Sequence, residues 1–302
     1  MVEQRRILFI PGKNPKPPEA HHHDMLWRTL IEGVRRVDSE AASRISALPG
    51  CFQLISWNYL YYHRYRDADL DLPWIEALLE KAGPDRRDIH EARSWHRRLN
   101  RLAYHIGDLF PQLIPWLPKH ARATISETRF YFSNESNIAD HIREQIKRVL
   151  RPLLDNGIPV LLIGHSLGSV IAYDALWEMS HIEKHRGKVD LLSIGSPLGM
   201  RFVQRRLLGH SCRGEMHYPT NIRRWINVSA TGDITALDRC FHDDFRTMLK
   251  LGLVDSIEDH CHGIYNTYRD ADGLNCHFSY GYLVNPAVGK ILADWWRGEP
   301  SS

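Results

Sequence analysis

Long apolar runs are missing from this sequence, and their absence excludes whole classes of protein. No segment approaches the length of a membrane span. The first apolar segment, residues 7–10, ends at Pro11 and Gly12 and is too short for the hydrophobic region of a signal peptide. We therefore expect no transmembrane segment and predict a cytoplasmic location.

Cysteine is also scarce, with five residues in a chain of 302. An odd number at wide spacing does not match the disulfide framework of a small secreted domain. The sequence therefore predicts thiols in a reducing cytoplasm. The cysteines are Cys51, Cys212, Cys240, Cys261 and Cys276.

Basic residues do not cluster, although the net charge is +3 from 39 basic and 36 acidic residues. Arginine pairs are scattered along the chain, whereas nucleic-acid binding requires a concentrated basic surface. We therefore expect no nucleic-acid partner. Internal repeats and low-complexity segments are absent, and a hydrophobic content of 43% is typical of a globular protein with a substantial core.

Apolar runs of strand length alternate with helical patterns and define the predicted fold class. Helical periodicity is found over residues 25–45, over 142–153 with a cap at Ser136 or Asn137 and an end at Gly157, and over 286–296. The alternation predicts an α/β fold with a mainly parallel central sheet flanked by helices. The predicted strands are residues 7–10, 51–57, 159–164, 189–195, 222–230 and 262–268.

Residues 58–131 interrupt this alternation and contain no clear buried strand. Leucines and one isoleucine within residues 99–113 form a helical stripe opposite arginines, so we predict a mostly helical cap inserted into a core domain of residues 1–57 and 132–302. The stripe is compatible with peripheral lipid contact, but a helix that covers its own domain is the more ordinary interpretation. Aromatic residues of the insertion that would make the cap apolar are Tyr59, Tyr61, Tyr62, Tyr65, Trp95, Phe110 and Trp116.

The stretch Gly164-His165-Ser166-Leu167-Gly168 joins a predicted strand to a predicted helix. A tight turn there forces strained backbone angles on Ser166, and glycine at positions 164 and 168 removes the side chains that would collide. This pattern predicts that Ser166 is a nucleophile. The Leu167 N–H would then face an anion formed on a bound acyl group. A second oxyanion donor is expected after the first strand, from the Lys13 N–H with Gly12 beside it.

A serine nucleophile needs a histidine as base and a carboxylate to orient that histidine. Asp233 follows the second strand after Ser166 and is the predicted acid, with Asp238 as the alternative. His277 lies in a loop before the terminal helix and is the predicted base. His260 and His262 are rivals, whereas His165 is expected to be an ordinary strand-end residue.

Histidine and cysteine, the side chains that commonly bind metals, are concentrated within residues 260–277. A metal site there is the alternative to a serine relay. None of the usual zinc-binding spacings is present among them, and a serine relay itself requires neither a metal nor another cofactor. The residues in question are His260, Cys261, His262, Cys276 and His277.

With these residues the chain resembles the α/β-hydrolase superfamily of serine esterases, lipases and thioesterases. The resemblance rests on residues 164–169 (GHSLGS), 10–12 (IPG), 232–233 (GD) and 276–283 (CHFSYGYL), although many lipases have His-Gly where this chain has Pro-Gly-Lys. It implies an α/β-hydrolase fold and cleavage of a small-molecule or lipid acyl ester through an acyl-enzyme. Thioester cleavage, acyl transfer by the same triad and a catalytically idle binding module are the alternatives.

Overall fold

The central sheet is parallel throughout, so the predicted α/β class is confirmed. The computed structural model describes residues 5–94, 131–236 and 240–298. Within them, six strands are ordered β2-β1-β3-β4-β5-β6. They are β1 (Arg6–Ile10), β2 (Phe52–Leu54), β3 (Val160–His165), β4 (Val189–Ile194), β5 (Ile222–Val228) and β6 (Ser256–His260).

Helices cover both faces of this sheet. The described α-helices are α1 (Glu19–Arg35), α2 (Ser39–Ser46), α3 (Asn58–Tyr62), α4 (Leu72–Glu80), α5 (Arg86–Ala92), α6 (Ile138–Asp155), α7 (Leu167–His181), α8 (Arg201–Gln204), α9 (His242–Lys250), α10 (Ser279–Leu283) and α11 (Pro286–Arg297). Short 3₁₀ turns are found at Ala68–Leu70, Glu135–Asn137 and Gly214–His217. A small antiparallel pair joins β7 (Arg269–Asp270) to β8 (Gly273–Leu274).

Two apolar cores lie on opposite sides of the sheet, because successive strand residues point to opposite faces. Alternate residues of β1 show the division: Leu8 and Ile10 pack toward α6 and α7, whereas Ile7 and Phe9 pack toward α1, α2 and α11. Both faces are therefore buried, which explains why the strands read as uninterrupted apolar runs.

Two sequence predictions of secondary structure are wrong. The predicted helix over residues 25–45 is two helices, α1 and α2, and the predicted strand at 262–268 is a loop. The last strand of the parallel sheet is β6, which contains one apolar residue, Ile257. Among the described strands, β6 pairs only with β5 and lies at the edge of the sheet; because it stays half-exposed, it needs no apolar run.

The cap of α6 also differs from the prediction, although its end agrees. Asn134 caps the helix: its Oδ1 accepts the N–H groups of Ala139 at 2.9 Å and Asp140 at 3.3 Å. Ser136 and Asn137 have left-handed backbone angles and do not cap it. Gly157, with a φ of +66°, ends the helix as predicted.

The described part of the insertion is helical, as the sequence predicted. Its helix α4 packs against α1, with Ile75 and Leu78 buried in the core beneath. Residues 95–130, which include Trp95, Phe110, Trp116 and the leucine stripe, lie outside the described residues. The division into core and cap therefore stays a prediction.

The cysteine prediction is wrong for one pair, because Cys240 and Cys261 form a disulfide between the approach to α9 and the end of β6. These residues are far apart in sequence, and only the sheet brings them together. Cys51, Cys212 and Cys276 form no disulfide among the described residues. None of the helices in the described ranges combines the length and apolar composition that a membrane span requires.

The order of the strands identifies where a ligand would bind. The chain passes from β1 to β2 on one side and then to β3 on the other side of β1. Ligands of open parallel sheets bind outside the carboxyl ends of the strands, where the order reverses in this way. The loops that leave β1 and β3 at this point contain Gly12 and Ser166.

Candidate active site

Ser166 lies at the apex of a strained turn between β3 and α7. Its φ of +52° and ψ of −126° are unusual for a residue with a side chain. The turn is held by the Ser166 N–H, which donates to the Ile194 carbonyl at 3.0 Å, and by the Ser169 hydroxyl, which donates to the Ser166 carbonyl at 2.6 Å. The strained conformation is thus stabilised by its neighbours.

The glycines on either side of Ser166 permit this turn. A Cβ on Gly164 would lie 2.5 Å from the Ser169 Cα, and one on Gly168 would lie 2.6 Å from the Pro11 carbonyl oxygen. Both contacts are with backbone atoms, which cannot move aside without displacing β1 or α7. The predicted reason for glycine at both positions therefore agrees with the packing.

The structure brings Ser166, His277 and Asp233 together. Ser166 Oγ lies 2.9 Å from His277 Nε2, and His277 Nδ1 lies 2.9 Å from Asp233 Oδ2. Both distances are within the range of a hydrogen bond. The imidazole therefore connects the hydroxyl to the carboxylate, although the three residues come from loops 44 or more positions apart in the sequence.

Asp233 is buried but remains charged. Burial opposes ionisation of the carboxyl group, but the attraction of His277 and hydrogen bonds from His277, Tyr282 and the Thr235 N–H outweigh it, so its pKa lies below the usual value. The Tyr282 hydroxyl donates to Oδ2 at 2.7 Å, and the Thr235 N–H donates to Oδ1 at 2.8 Å. Asp233 is thus a fixed anion beside the imidazole.

His165 positions the loop that contains His277. Its Nε2 lies 2.7 Å from the His277 carbonyl oxygen, which can only accept, so Nε2 carries the proton. Burial, with repulsion from His277 and Lys16, lowers the pKa of His165 well below its ordinary value and keeps the ring neutral. His165 therefore does more than the strand-end residue predicted, but it makes no hydrogen bond to Ser166.

Gly195, which follows β4, leaves the space in which the imidazole and the carboxylate meet. It has a φ of +55°, and a Cβ there would lie 2.9 Å from Asp233 Oδ2 and 3.2 Å from His277 Nδ1. A side chain at this position would press on both partners of the hydrogen bond. Glycine is required here by both the backbone angle and the packing.

The loop after β1 approaches Ser166 closely. A Cβ on Gly12 would lie 2.8 Å from the Ser166 Cβ. Trp57 Nε1 donates to the Pro11 carbonyl at 2.8 Å, and Asn58 Nδ2 donates to the Gly12 carbonyl at 2.7 Å. Since N–H and C=O point in opposite directions in a trans peptide, the N–H groups of Gly12 and Lys13 are turned away from Trp57 and Asn58.

The Leu167 N–H, the other predicted oxyanion donor, belongs to the first residue of α7. The first N–H groups of a helix have no acceptor within the helix, and they carry a partial positive charge. The structure therefore brings the predicted donors, Leu167 on one side and the Gly12 and Lys13 loop on the other, next to the serine.

A cleft of about 450 Å³ opens on the serine. Its floor contains Ser166 and His277, and its walls come from the loop after β1 and from the segment between β8 and α10. The lining residues are Lys13, Asn14, Lys16, His165, Ser166, Asn275, His277, Phe278 and Ser279.

The alternative metal site does not assemble as the sequence suggested. Both ring nitrogens of His277 lie within hydrogen-bond distance of other side chains, Nε2 of Ser166 and Nδ1 of Asp233. In the described ranges, the ligand-type atoms that converge within 4.8 Å belong to Cys240, Cys261 and His262. The two cysteines are joined in a disulfide, and thiolates are the form in which cysteine binds metals.

The remaining predicted residues lie elsewhere. His260 ends β6, His262 is exposed, and Asp238 lies outside the described residues. The sequence did not predict the contacts of Trp57, Asn58, His165 and Tyr282, which support Ser166, Asp233 and His277 or the loops around them. A signal was present for Trp57 and Asn58, because both lie shortly after the carboxyl end of β2, the strand that neighbours β1.

Comparisons with known proteins do not identify the chain further. No protein-family model matches it, and neither the curated proteins nor the solved structures gave a match.

Proposed function

We propose that this protein is a serine hydrolase of the α/β-hydrolase fold that cleaves carboxylic esters. The observation that carries the proposal is the continuous hydrogen-bonded series from Ser166 through His277 to Asp233, with 2.9 Å at each step. This series lies where a parallel sheet binds ligands, and its order in the chain, Ser, Asp, His, matches that fold.

Acylation would begin with the Ser166 hydroxyl attacking the ester carbonyl carbon. His277 Nε2 takes the hydroxyl proton as the Oγ–C bond forms, and the carbonyl oxygen becomes an oxyanion. The same proton passes from His277 to the alcohol oxygen as the ester bond breaks, leaving an acyl-enzyme. The Asp233 carboxylate stabilises the imidazolium and keeps Nδ1 protonated throughout.

Deacylation would repeat these steps with water as the nucleophile. His277 takes a proton from water, the hydroxide attacks the acyl carbon, and the proton returns to Ser166 Oγ as the acid leaves. The N–H groups of Leu167 and Lys13 stabilise the oxyanion in both halves, by about 3 kcal/mol for each donor in comparable enzymes.

The strained backbone of Ser166 favours catalysis over the binding-module alternative. Left-handed backbone angles at a residue with a side chain cost roughly 1–2 kcal/mol. A protein that only binds a ligand would gain nothing from this cost, whereas a nucleophile gains exposure toward the cleft. Thioester cleavage and acyl transfer would use the same acyl-enzyme and differ only in the leaving group or the acceptor.

Labelling with a fluorophosphonate probe, followed by peptide mass spectrometry, tests the proposal directly. A working relay makes Ser166 nucleophilic, so we expect the adduct on the peptide containing Ser166. The adduct should disappear in Ser166→Ala and fall strongly in His277→Ala. Hydrolysis of 4-nitrophenyl esters and acyl-thioesters of increasing chain length then defines the substrate.

Ser279 provides a matched control, because it lines the same cleft and has no hydrogen bond to His277 among the described residues. Ser279→Ala should keep the adduct on Ser166. A folded protein that is not labelled on Ser166, even with detergent or lipid added to displace a cap, would contradict the proposed function and favour the binding module.

A further inference from the structure

Two cationic side chains line the cleft beside Ser166. Lys13 and Lys16 line its wall, and no aspartate or glutamate is among its lining residues in the described ranges. The other polar groups there are neutral amides, hydroxyls and imidazoles. A ligand in this cleft would therefore meet a positive potential close to the serine.

Lys16 is the cation whose surroundings indicate a ligand most clearly. Its ammonium lies 5.8 Å from the centre of the Phe278 ring, and within the described residues no carboxylate lies within 4.0 Å of it. The nearest acid, Asp71, is buried and already engaged: Arg66 donates to both of its oxygens, at 2.8 and 3.1 Å. Tyr268 also donates to Asp71, at 3.3 Å.

Lys16 is also held where water solvates it poorly. Its side chain is half-buried between the loop after β1 and the segment that leads into α10. Burial lowers its pKa to about 8; the attraction of Asp71 opposes this change, and repulsion from Arg66 and Lys13 adds to it. A poorly solvated ammonium is stabilised when an anion binds beside it, because the anion takes the place of the missing carboxylate partner.

We propose that the substrate of this site carries an anionic group, a carboxylate or a phosphate, which Lys16 binds while Ser166 attacks the ester carbonyl. The inference rests on the proposed function and adds the class of substrate. A charge-assisted hydrogen bond from Lys16 would fix the ester in the cleft, with the Phe278 ring beside the ammonium contributing apolar contact.

Paired esters of equal size test the charge preference. Mono-4-nitrophenyl glutarate carries the anion on the acyl side, and 4-nitrophenyl valerate is its neutral partner. 4-Carboxyphenyl butyrate carries the anion on the leaving group, with the methyl ester of its carboxyl group as the neutral partner. We expect kcat/KM to favour the anionic member of one pair by about tenfold or more.

Lys16→Met should abolish that preference, while Lys16→Arg should keep most of it. Lys250→Met, on the exposed last turn of α9, removes one positive charge far from the cleft and should leave the preference intact. Equal kcat/KM for both members of both pairs, or a preference unchanged in a folded Lys16→Met protein, would overturn the inference and leave the proposed function standing.

A binding measurement in which no ester is cleaved tests the anion site independently of the proposed esterase activity. N-phenylglutaramic acid and N-phenylvaleramide are amides that differ in one carboxylate, and calorimetric titration measures both on Ser166→Ala. We expect the acid to bind about tenfold more tightly and the difference to vanish in Ser166→Ala with Lys16→Met. This result would support the anion site even for a protein without esterase activity. Equal binding of these two amides, together with equal binding of 4-butyramidobenzoic acid and its methyl ester, which place the anion on the leaving-group side, would overturn it.

Discussion

Asn58 Nδ2 donates to the Gly12 carbonyl at 2.7 Å, and this bond orients the loop beside Ser166. The same amide nitrogen donates to the Asn14 carbonyl at 2.9 Å, and the Asn14 N–H donates to the Tyr62 hydroxyl at 2.9 Å. Two carbonyls of one short loop are thus held on the side of α3. The Lys13 N–H, which shares a peptide group with the Gly12 carbonyl, is therefore turned away from Asn58.

Asn58→Ala should therefore lower kcat with little change in KM. Without the amide, the loop loses two hydrogen bonds and the proposed oxyanion donors lose their orientation, which we expect to cost about tenfold to a hundredfold in kcat. Steady-state kinetics on the best 4-nitrophenyl ester measure the effect. Loss of the buried amide should also lower the free energy of unfolding by about 1–3 kcal/mol.

Asn285→Ala is the control that separates the loss of kcat expected for Asn58→Ala from its loss of stability. Asn285 donates to the Tyr265 carbonyl at 3.0 Å and caps α11, away from the oxyanion loop. The variant should lose about 1 kcal/mol of stability and keep its kcat. If Asn58→Ala and Asn285→Ala lowered kcat equally, the orienting role of Asn58 would be wrong.

Exchange of the orienting acid tests the relay itself. Asp233→Asn keeps the size of the side chain but can donate to His277, which favours the wrong imidazole tautomer. We expect kcat to fall by up to about 10⁴-fold, as in comparable triads, while Asp238→Asn changes it little. Kinetics of the two variants, each checked for folding by circular dichroism, decide between the acids, and the reverse order would transfer the role to Asp238.

The meeting of Ser166, His277 and Asp233 could be predicted from the sequence because it depends on order along the chain. Ser166 follows a strand of six buried residues, and Asp233 and His277 lie in the expected loops. The supporting contacts were not predictable in the same way. Tyr282 reaches Asp233 across 49 positions, and Asn58 reaches Gly12 across 46, so both depend on how the loops pack.

The strand at the edge of the sheet was also not predictable from the sequence. Strands at the centre of a parallel sheet are apolar on both faces and can be read from composition, whereas β6 is Ser-Ile-Glu-Asp-His. Asp259 of this strand accepts the N–H groups of Phe241 and His242 at 2.8 Å and so anchors the start of α9. Because β6 makes mainly polar contacts, it lacks the run of apolar residues by which the other strands of the sheet were predicted.

The anion preference should depend on pH through Lys16. Its pKa in the free protein is about 8, so the ammonium is charged below pH 8 and becomes neutral above it. Asp71 attracts the ammonium, Arg66 and Lys13 repel it, and His22, whose pKa burial lowers well below its ordinary value, is neutral at this pH. The ratio of kcat/KM for the anionic ester to that for its neutral partner should therefore fall as the pH rises through 8.

The ratio of kcat/KM for the two esters removes the effects of pH that both esters share. Pairs of profiles from pH 6 to 10 on the natural protein and on Lys16→Arg measure it. Because arginine stays protonated throughout, Lys16→Arg should show a flat ratio. A ratio that fell equally in both proteins would assign the titration to a different group.

Gly195→Ala should break the hydrogen bond between His277 and Asp233 although neither residue is substituted. The new methyl group would meet Asp233 Oδ2 at 2.9 Å and His277 Nδ1 at 3.2 Å, so the carboxylate and the imidazole must separate. We expect a fall in kcat of about a hundredfold or more, together with weaker fluorophosphonate labelling of Ser166. The left-handed φ of +55° adds roughly 1–2 kcal/mol of backbone strain to the destabilisation.

Gly252→Ala isolates the contribution of that strain. Gly252 has a φ of +67°, similar to that of Gly195, but a Cβ there would meet nothing within 4 Å. Gly252→Ala should therefore show the backbone part of the destabilisation alone, measured as a shift in the urea midpoint, and keep its activity, whereas Gly195→Ala loses activity. Equal loss of kcat in both would mean that global destabilisation lowers the rate. Loss confined to Gly195→Ala would mean that the rate depends on the contact between His277 and Asp233.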